Sequence, residues 1–191
     1  MKRDKFLLPY EQVAEIISSI PVLRDKAFLC LTYACAGRIG EIVWGRVERT
    51  PPVSKENIEV FDDKIYVSIL TEKVRLVRRV GISRINEGMK AKPPVEPGWL
   101  TFPIITYMDR IDDNYLFPYS TRWGQKIFEK YFGTQHIHLL RAWRQTHLLQ
   151  GKVTEKPLPR QYVARMAGIT NLSTLDKSYD LSTNEDYDHL I

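Results

Sequence analysis

The chain has 191 residues, 43% apolar and 27% charged, the balance of a protein that buries a core and not of a disordered or collagen-like chain. Its longest apolar stretch, from Ala27 to Ala36, ends at Arg38, far short of the roughly 20 residues that cross a bilayer. The formal net charge is +5, which suits a polyanionic partner but fits a merely basic protein equally well.

From Pro9 the sequence reads as helix, with Val13, Ile16, Ile17 and Ile20 at helical spacing, and Glu11 arrives too early for a signal-peptide core. After Pro21, Leu23–Tyr33 predicts a second helix that is apolar nearly all round and therefore buried. It carries Cys30, and Cys35 follows it; these two cysteines are the whole complement, which excludes a disulfide scaffold and predicts a reducing, intracellular setting in the cytoplasm. A third short helical piece carries Arg38, Glu41 and Ile42. Beyond a proline-marked loop at Thr50–Ser54 the period changes to two, predicting three antiparallel strands over Ile58–Phe61, Lys64–Leu70 and Leu76–Ile82, with a turn near Lys73–Arg75.

Pro93, Pro94, Pro97 and Gly98 mark a second loop or linker, and Leu100–Asp109 predicts a helix despite Pro103. Leu116-Phe117-Pro118 ends an extended piece, and Thr121 is the expected cap of a helix over Arg122–Phe132. The rest is helical in character, broken at Gly133, Gly151, Pro157 and Pro159, and Gly168. The expected fold is mainly α with a small three-stranded antiparallel sheet. The charge is uneven along this chain. Residues 176–191 hold five acids and one base, which leaves 27 basic and 18 acidic residues over 1–175.

Metal and nucleotide motifs are absent: no CxxC, HExxH, GxxxxGK[ST] or GxGxxG spacing occurs, so no metal site and no cofactor is expected. What remains is a set of polar residues inside apolar helices. Arg38 follows ten largely apolar residues and must be paired or face a cleft, with Glu41 one turn away to hold it. The spacing in His138-Leu-Leu-Arg141 puts imidazole and guanidinium on one helix face. Lys73 falls at the hairpin tip among Arg75, Arg78 and Arg79, and Tyr179 comes near the end. Each has an ordinary structural reading as an ion pair, a surface pair or a solvated charge run; order and context carry the functional one.

In that order the residues resemble the tyrosine recombinases. Leu31-Thr-Tyr-Ala-Cys-Ala-Gly-Arg38-Ile-Gly-Glu41-Ile is similar to the family's "LLYATGLRISEL" box, with Ala36-Gly37 in place of Gly-Leu. Lys73 followed by Arg79-Val80-Gly81-Ile82 resembles the hairpin lysine and its downstream "RxVPI", with Gly81 for proline. Leu116-Phe117-Pro118, then His138-Leu-Leu-Arg141 with the trailing Thr146-His147-Leu148-Leu149, resemble "LFP" and "HDLRHTFATHLL". Met166-Ala-Gly168, Ser173-Thr174 and Tyr179 resemble "LGHSSISTTQIY". The matches are collinear over Leu8 to Tyr179. Ile169 stands where the family has His or Trp, and the glycine-to-tyrosine distance is one residue longer than usual.

The resemblance implies a catalytic domain over residues 1–179, followed by an acidic tail over 180–191. It also implies that Met1–Leu8 leaves no room for the family's separate core-binding domain. By the same resemblance, Arg38 and Arg141 clamp a phosphodiester, Lys73 protonates the leaving oxygen, His138 handles the tyrosine proton and Tyr179 attacks. Arg75, Arg78 and Arg79 would bind DNA, with Glu41 and Ile169 supporting. The implied activity is DNA strand cleavage and rejoining in site-specific recombination, integration or excision, through a 3′-phosphotyrosine intermediate. The implied partners are double-stranded DNA and further protomers assembled on it, without cofactor, metal or membrane. Two alternatives share the fold: a catalytically silent DNA-binding protein and a type IB topoisomerase-like enzyme.

Overall fold

The computed structural model describes residues 7–45, 50–72, 75–84, 98–154 and 156–178, with 176–178 described as backbone only. Two helices form the centre, one because its sequence is apolar nearly all round and the other because its polar side chains are buried against the first. Helix α2 (Leu23–Ala34) is buried from Ala27 to its end, and α6 (His138–Leu149) is buried from Leu140 to Leu149. Around them pack α1 (Tyr10–Ser18), which buries Val13, Ala14 and Ile17, and α4 (Thr101–Arg110), which lies along α2. Pro103 sits in the first turn of α4, where its missing N–H costs no intrahelical bond.

The amphipathic α5 (Thr121–Phe132) approaches α2 at Gly124, where a Cβ would lie 2.7 Å from both Phe28 and Ile39. Its cap is Ser120 and not Thr121: Ser120 has extended backbone, and its hydroxyl accepts from the Trp123 N–H at 3.3 Å. Thr121 is the first helical residue and is buried.

The sheet has the order β1-β2-β3, from β1 (Ile58–Val60), β2 (Lys64–Leu70) and β3 (Val77–Ser83), all antiparallel. Opposite one another on its inner face are Ile65 and Ile82, Val67 and Val80, and Ile69 and Arg78. The β2–β3 hairpin is closed by Thr71 and Leu76, whose backbones and the Thr71 hydroxyl bond at 2.9–3.0 Å. A short α3 (Ile39–Ile42) follows α2, and α7 (Arg160–Ala167) and α8 (Leu172–Ser178) are the last elements among the described residues. The architecture is mostly helical with one three-stranded antiparallel sheet. Lys73, the Pro93–Pro97 linker, Tyr179 and the acidic tail lie outside the described residues.

Candidate active site

The end of α2 builds the site. Ala36 turns into the left-handed region at φ 45°, Gly37 N–H closes back on the Thr32 carbonyl at 3.1 Å, and Ala36 N–H on Tyr33 at 3.0 Å. This turn leaves the carbonyls of Cys35 and Ala36, at the negative end of the helix dipole, aimed at arginines. Arg141 Nη1 donates to Ala36 O at 2.5 Å and Arg78 Nη1 to Cys35 O at 2.9 Å.

The chain then extends through Arg38 at the N-cap of α3, and Glu41 reaches back from the third helical position. Glu41 Oε2 accepts the Arg38 backbone N–H at 3.0 Å, and Oε1 accepts Arg38 Nη1 at 2.8 Å. Arg78 Nη2, from β3, donates to Glu41 Oε2 at 2.9 Å. The Glu41 carboxylate is wholly buried, whereas the Arg38 side chain keeps 16% exposure. Burial pushes the Glu41 carboxyl up. Arg78, the Arg38 N–H, Arg141 and Arg38 together outweigh burial and hold it below the usual carboxylate range.

Arg141 is completely buried in the first turns of α6, and His138, at the start of that helix, is exposed. A third arginine on α6, Arg144, is also buried, with its guanidinium 5.2 Å from the centre of the Tyr33 ring. Burial pushes the Cys35 thiol up to about 12 against the lowering fields of Arg78 and Arg144, so Cys35 stays a neutral thiol beside the cluster.

The structure thus brings Arg38, Glu41 and Arg141 together around one turn, and the Arg38–Glu41 pair is the one that the sequence spacing predicts. It separates the three hairpin arginines. Arg75, at φ 49°, is exposed, and Arg79 is half-exposed, paired with Glu59 at 2.8 Å and stacked 3.8 Å from the Tyr66 ring centre. Arg78 instead points inward with 7% exposure. Its expected place on a DNA-facing surface is therefore corrected to the interior. The signal was in the period: Arg78 shares strand parity with Val80 and Ile82, which mark the buried face.

Arg144 was also missed by sequence reasoning, because an arginine three residues after Arg141 reads as surface charge until α6 is known to be buried all round. Ile169 is buried and lines a cleft of about 600 Å³ between β3 and α7, with Arg78, Met166 and Tyr162 among its walls. Among the described residues no group of three His, Cys, Asp or Glu side chains could hold a metal, and no helix is long and apolar enough to cross a membrane.

No protein-family model and no curated protein matches the sequence. Solved structures resemble its fold. XerA recombinase superposes on the whole chain with a TM-score of 0.66 at 13% identity, and the chain covers 64% of its length. XerH site-specific recombinase, bound to its palindromic difH substrate in a post-cleavage complex, matches 90% of the chain with a TM-score of 0.64 at 13% identity. A lambda integrase tetramer bound to a Holliday junction matches 93% with a TM-score of 0.54 at 11% identity. The chain spans about half the length of these last two, at 48% and 49%. The protein has the fold of a tyrosine recombinase catalytic domain.

Proposed function

We propose that this chain breaks and rejoins DNA strands, with Tyr179 as the attacking group and Arg38 and Arg141 as the phosphate clamp. One observation carries the reading. Arg38, Arg78 and Arg141 converge on one turn around the buried Glu41 carboxylate, and Arg38 remains partly open to solvent. Arginines fixed in this way, with Arg38 still partly open to solvent, present guanidinium donors that the oxygens of a phosphodiester can accept.

The chemistry follows from those donors. Attack by a tyrosine oxygen puts extra negative charge on the non-bridging oxygens, and fixed guanidinium donors in a water-poor site stabilise it with little reorganisation. Tyrosine has a reference pKa near 10 and is a weak nucleophile at neutral pH, so His138, exposed at the mouth of α6, would accept its proton. Lys73 would protonate the departing 5′ oxygen. The products are a 3′-phosphotyrosine and a free 5′ hydroxyl, and reversal by another 5′ hydroxyl rejoins strands without an external energy source. Double-stranded DNA and further copies of the chain assembled on it are the partners in this reading, acting in the cytoplasm. The XerH and lambda integrase matches, both solved on DNA, support it.

The test is covalent capture. Incubation with a randomised pool of nicked duplexes is expected to yield a protein–DNA adduct that survives denaturation. Tyr179→Phe removes only the attacking oxygen and is expected to abolish the adduct with duplex binding unchanged. An adduct that persists in Tyr179→Phe would move the nucleophile elsewhere, with Tyr187 the next to replace. Absence of any adduct from the unmodified protein, with binding retained, would leave a DNA-binding protein that has lost catalysis, the reading that Ile169 at the family's His/Trp position favours.

A further inference from the structure

We propose that Arg78 is a positioning residue that sets the orientation of Arg38 through the shared Glu41 carboxylate; this rests on the reading of Arg38 as half of a phosphate clamp. Arg78 leaves the inner face of β3 and reaches three separate elements. One guanidinium nitrogen, Nη2, bonds Glu41 Oε2 on α3 at 2.9 Å. The other, Nη1, bonds the Cys35 carbonyl at the end of α2 at 2.9 Å and the Met166 carbonyl near the end of α7. Its stem is wedged under Gly168, where a Cβ would lie 3.1 Å from Arg78 Cδ and 2.9 Å from Thr71 Cγ2; that glycine, at φ 66°, ends α7.

This geometry separates Arg78 from direct contact with DNA. With 7% exposure and both terminal nitrogens engaged with three acceptors, it is turned away from the surface that Arg75 and Arg79 present. Its position also decides what Arg38 can do. Each Glu41 oxygen is shared: Oε1 takes Arg38 Nη1 and the Glu72 N–H at 3.4 Å, and Oε2 takes the Arg38 N–H and Arg78. Arg78 fixes the carboxylate plane on one side, and the plane fixes Nη1 of Arg38, whose side chain keeps 16% exposure.

The groups around Glu41 include Arg38 from α3, Arg78 from β3, Arg141 from α6, the neutral Cys35 thiol at the end of α2, and Glu72 beyond β2, whose N–H bonds Oε1 and whose carboxylate lies over Gly40. Without Arg78, burial favours the neutral acid, and a neutral Glu41 releases Arg38. Lys at this position keeps the charge but cannot serve three acceptors with a planar fork.

Two measurements test the proposal. In the first, carbon NMR follows the Glu41 carboxyl and nitrogen NMR the Arg38 side chain across about pH 5 to pH 8. In Arg78→Met the Glu41 midpoint is expected to rise into this range, with the Arg38 signal titrating along with it; the unmodified protein should show neither, and Arg78→Lys should hold Glu41 ionised. An unmoved Glu41 midpoint in Arg78→Met, or an Arg38 signal indifferent to it, overturns the proposal. Should Arg78→Met not fold, Arg78→Lys decides alone, because a displaced Arg38 signal is expected there even with Glu41 ionised and an unaltered one overturns the proposal.

The second measurement compares adduct formation on nicked phosphodiester and neutral methylphosphonate duplexes. A misaligned clamp should cost about 10²-fold on the charged substrate and much less on the neutral one, with duplex affinity unchanged. Equal losses on both substrates would make Arg78 a merely structural residue, and a weakened affinity with a shallower salt dependence would return it to the DNA surface. If the unmodified protein forms no adduct, the proposed cleavage fails, while the NMR titration still decides whether Arg78 governs Arg38.

Discussion

Ala36 shows how a single residue holds the cluster. Its carbonyl receives Arg141, and its backbone sits at φ 45°, where a Cβ meets the following carbonyl. For a residue other than glycine that conformation costs about 1–2 kcal/mol. Ala36→Gly removes the clash and adds some chain entropy to the unfolded state, so the net expectation is a stabilisation of about 1 kcal/mol. In thermal unfolding that is a rise of roughly 2–4 °C for a chain this long; a fall would show that the methyl group packs more than the backbone strains. At this scale much of the site was legible. Arg38 announces itself as a charge at the end of an apolar run, and Glu41 as its local partner at helical spacing. The Glu41–Arg78 pair was not legible, because 37 residues separate the partners and no local spacing encodes a bond between a helix and a strand. Only the strand parity hinted that Arg78 turns inward.

At the level of elements, α6 is tied to α2 and to the segment before α1 by one imidazole. The Leu8 carbonyl can only accept, so His147 Nε2 carries the proton and donates at 2.8 Å, and Nδ1 accepts from the Tyr33 hydroxyl at 2.7 Å. Burial, opposed by the Leu8 bond and helped by Arg144 and Lys152, lowers the His147 pKa to about 3. The unfolded chain therefore binds a proton below about pH 6.5 that the folded chain refuses until about pH 3. Stability is expected to fall on acidification through that window, by at most about 1.4 kcal/mol per pH unit from this residue. His147→Gln can still donate to Leu8 but cannot titrate. It should be less stable at pH 7 and show a flatter dependence of the urea midpoint on pH. An equally steep dependence in the variant would assign the acid sensitivity to other groups. The sequence marked α6 as helix but not as buried, since Arg141, Arg144, Gln145 and His147 read as a polar face. Burial of that face follows from packing against α2, which periodicity within one helix cannot report. The strands, by contrast, were legible to within a residue or two, because alternation in β2 and β3 is set by one buried face.

For the molecule as a whole, the basic surplus of residues 1–175 is divided between two uses. Arg78, Arg141 and Arg144 are interior and shape the site, while Arg75, Arg79, Arg160 and Arg165 are exposed. Arg79 and Arg165 border the cleft between β3 and α7, whose wall also includes Arg78. The Arg79–Glu59 pair does not withhold Arg79 from a phosphate, because an exposed pair is worth only about 0–1 kcal/mol and weakens with salt. Each exposed arginine that meets a phosphate releases a counterion, and the logarithm of duplex affinity falls with the logarithm of salt concentration by about 0.9 per contact. Binding is therefore expected to be steeply salt-dependent and little affected by sequence. Arg165→Ala and Arg75→Ala should each reduce the slope by about one, uniformly across duplexes. Arg78→Lys should leave the slope where it was, because Arg78 spends its charge on Glu41 and not on DNA. A titration of a short duplex at several salt concentrations separates these cases. A slope that ignores both exposed arginines would place the DNA on a different face of the fold.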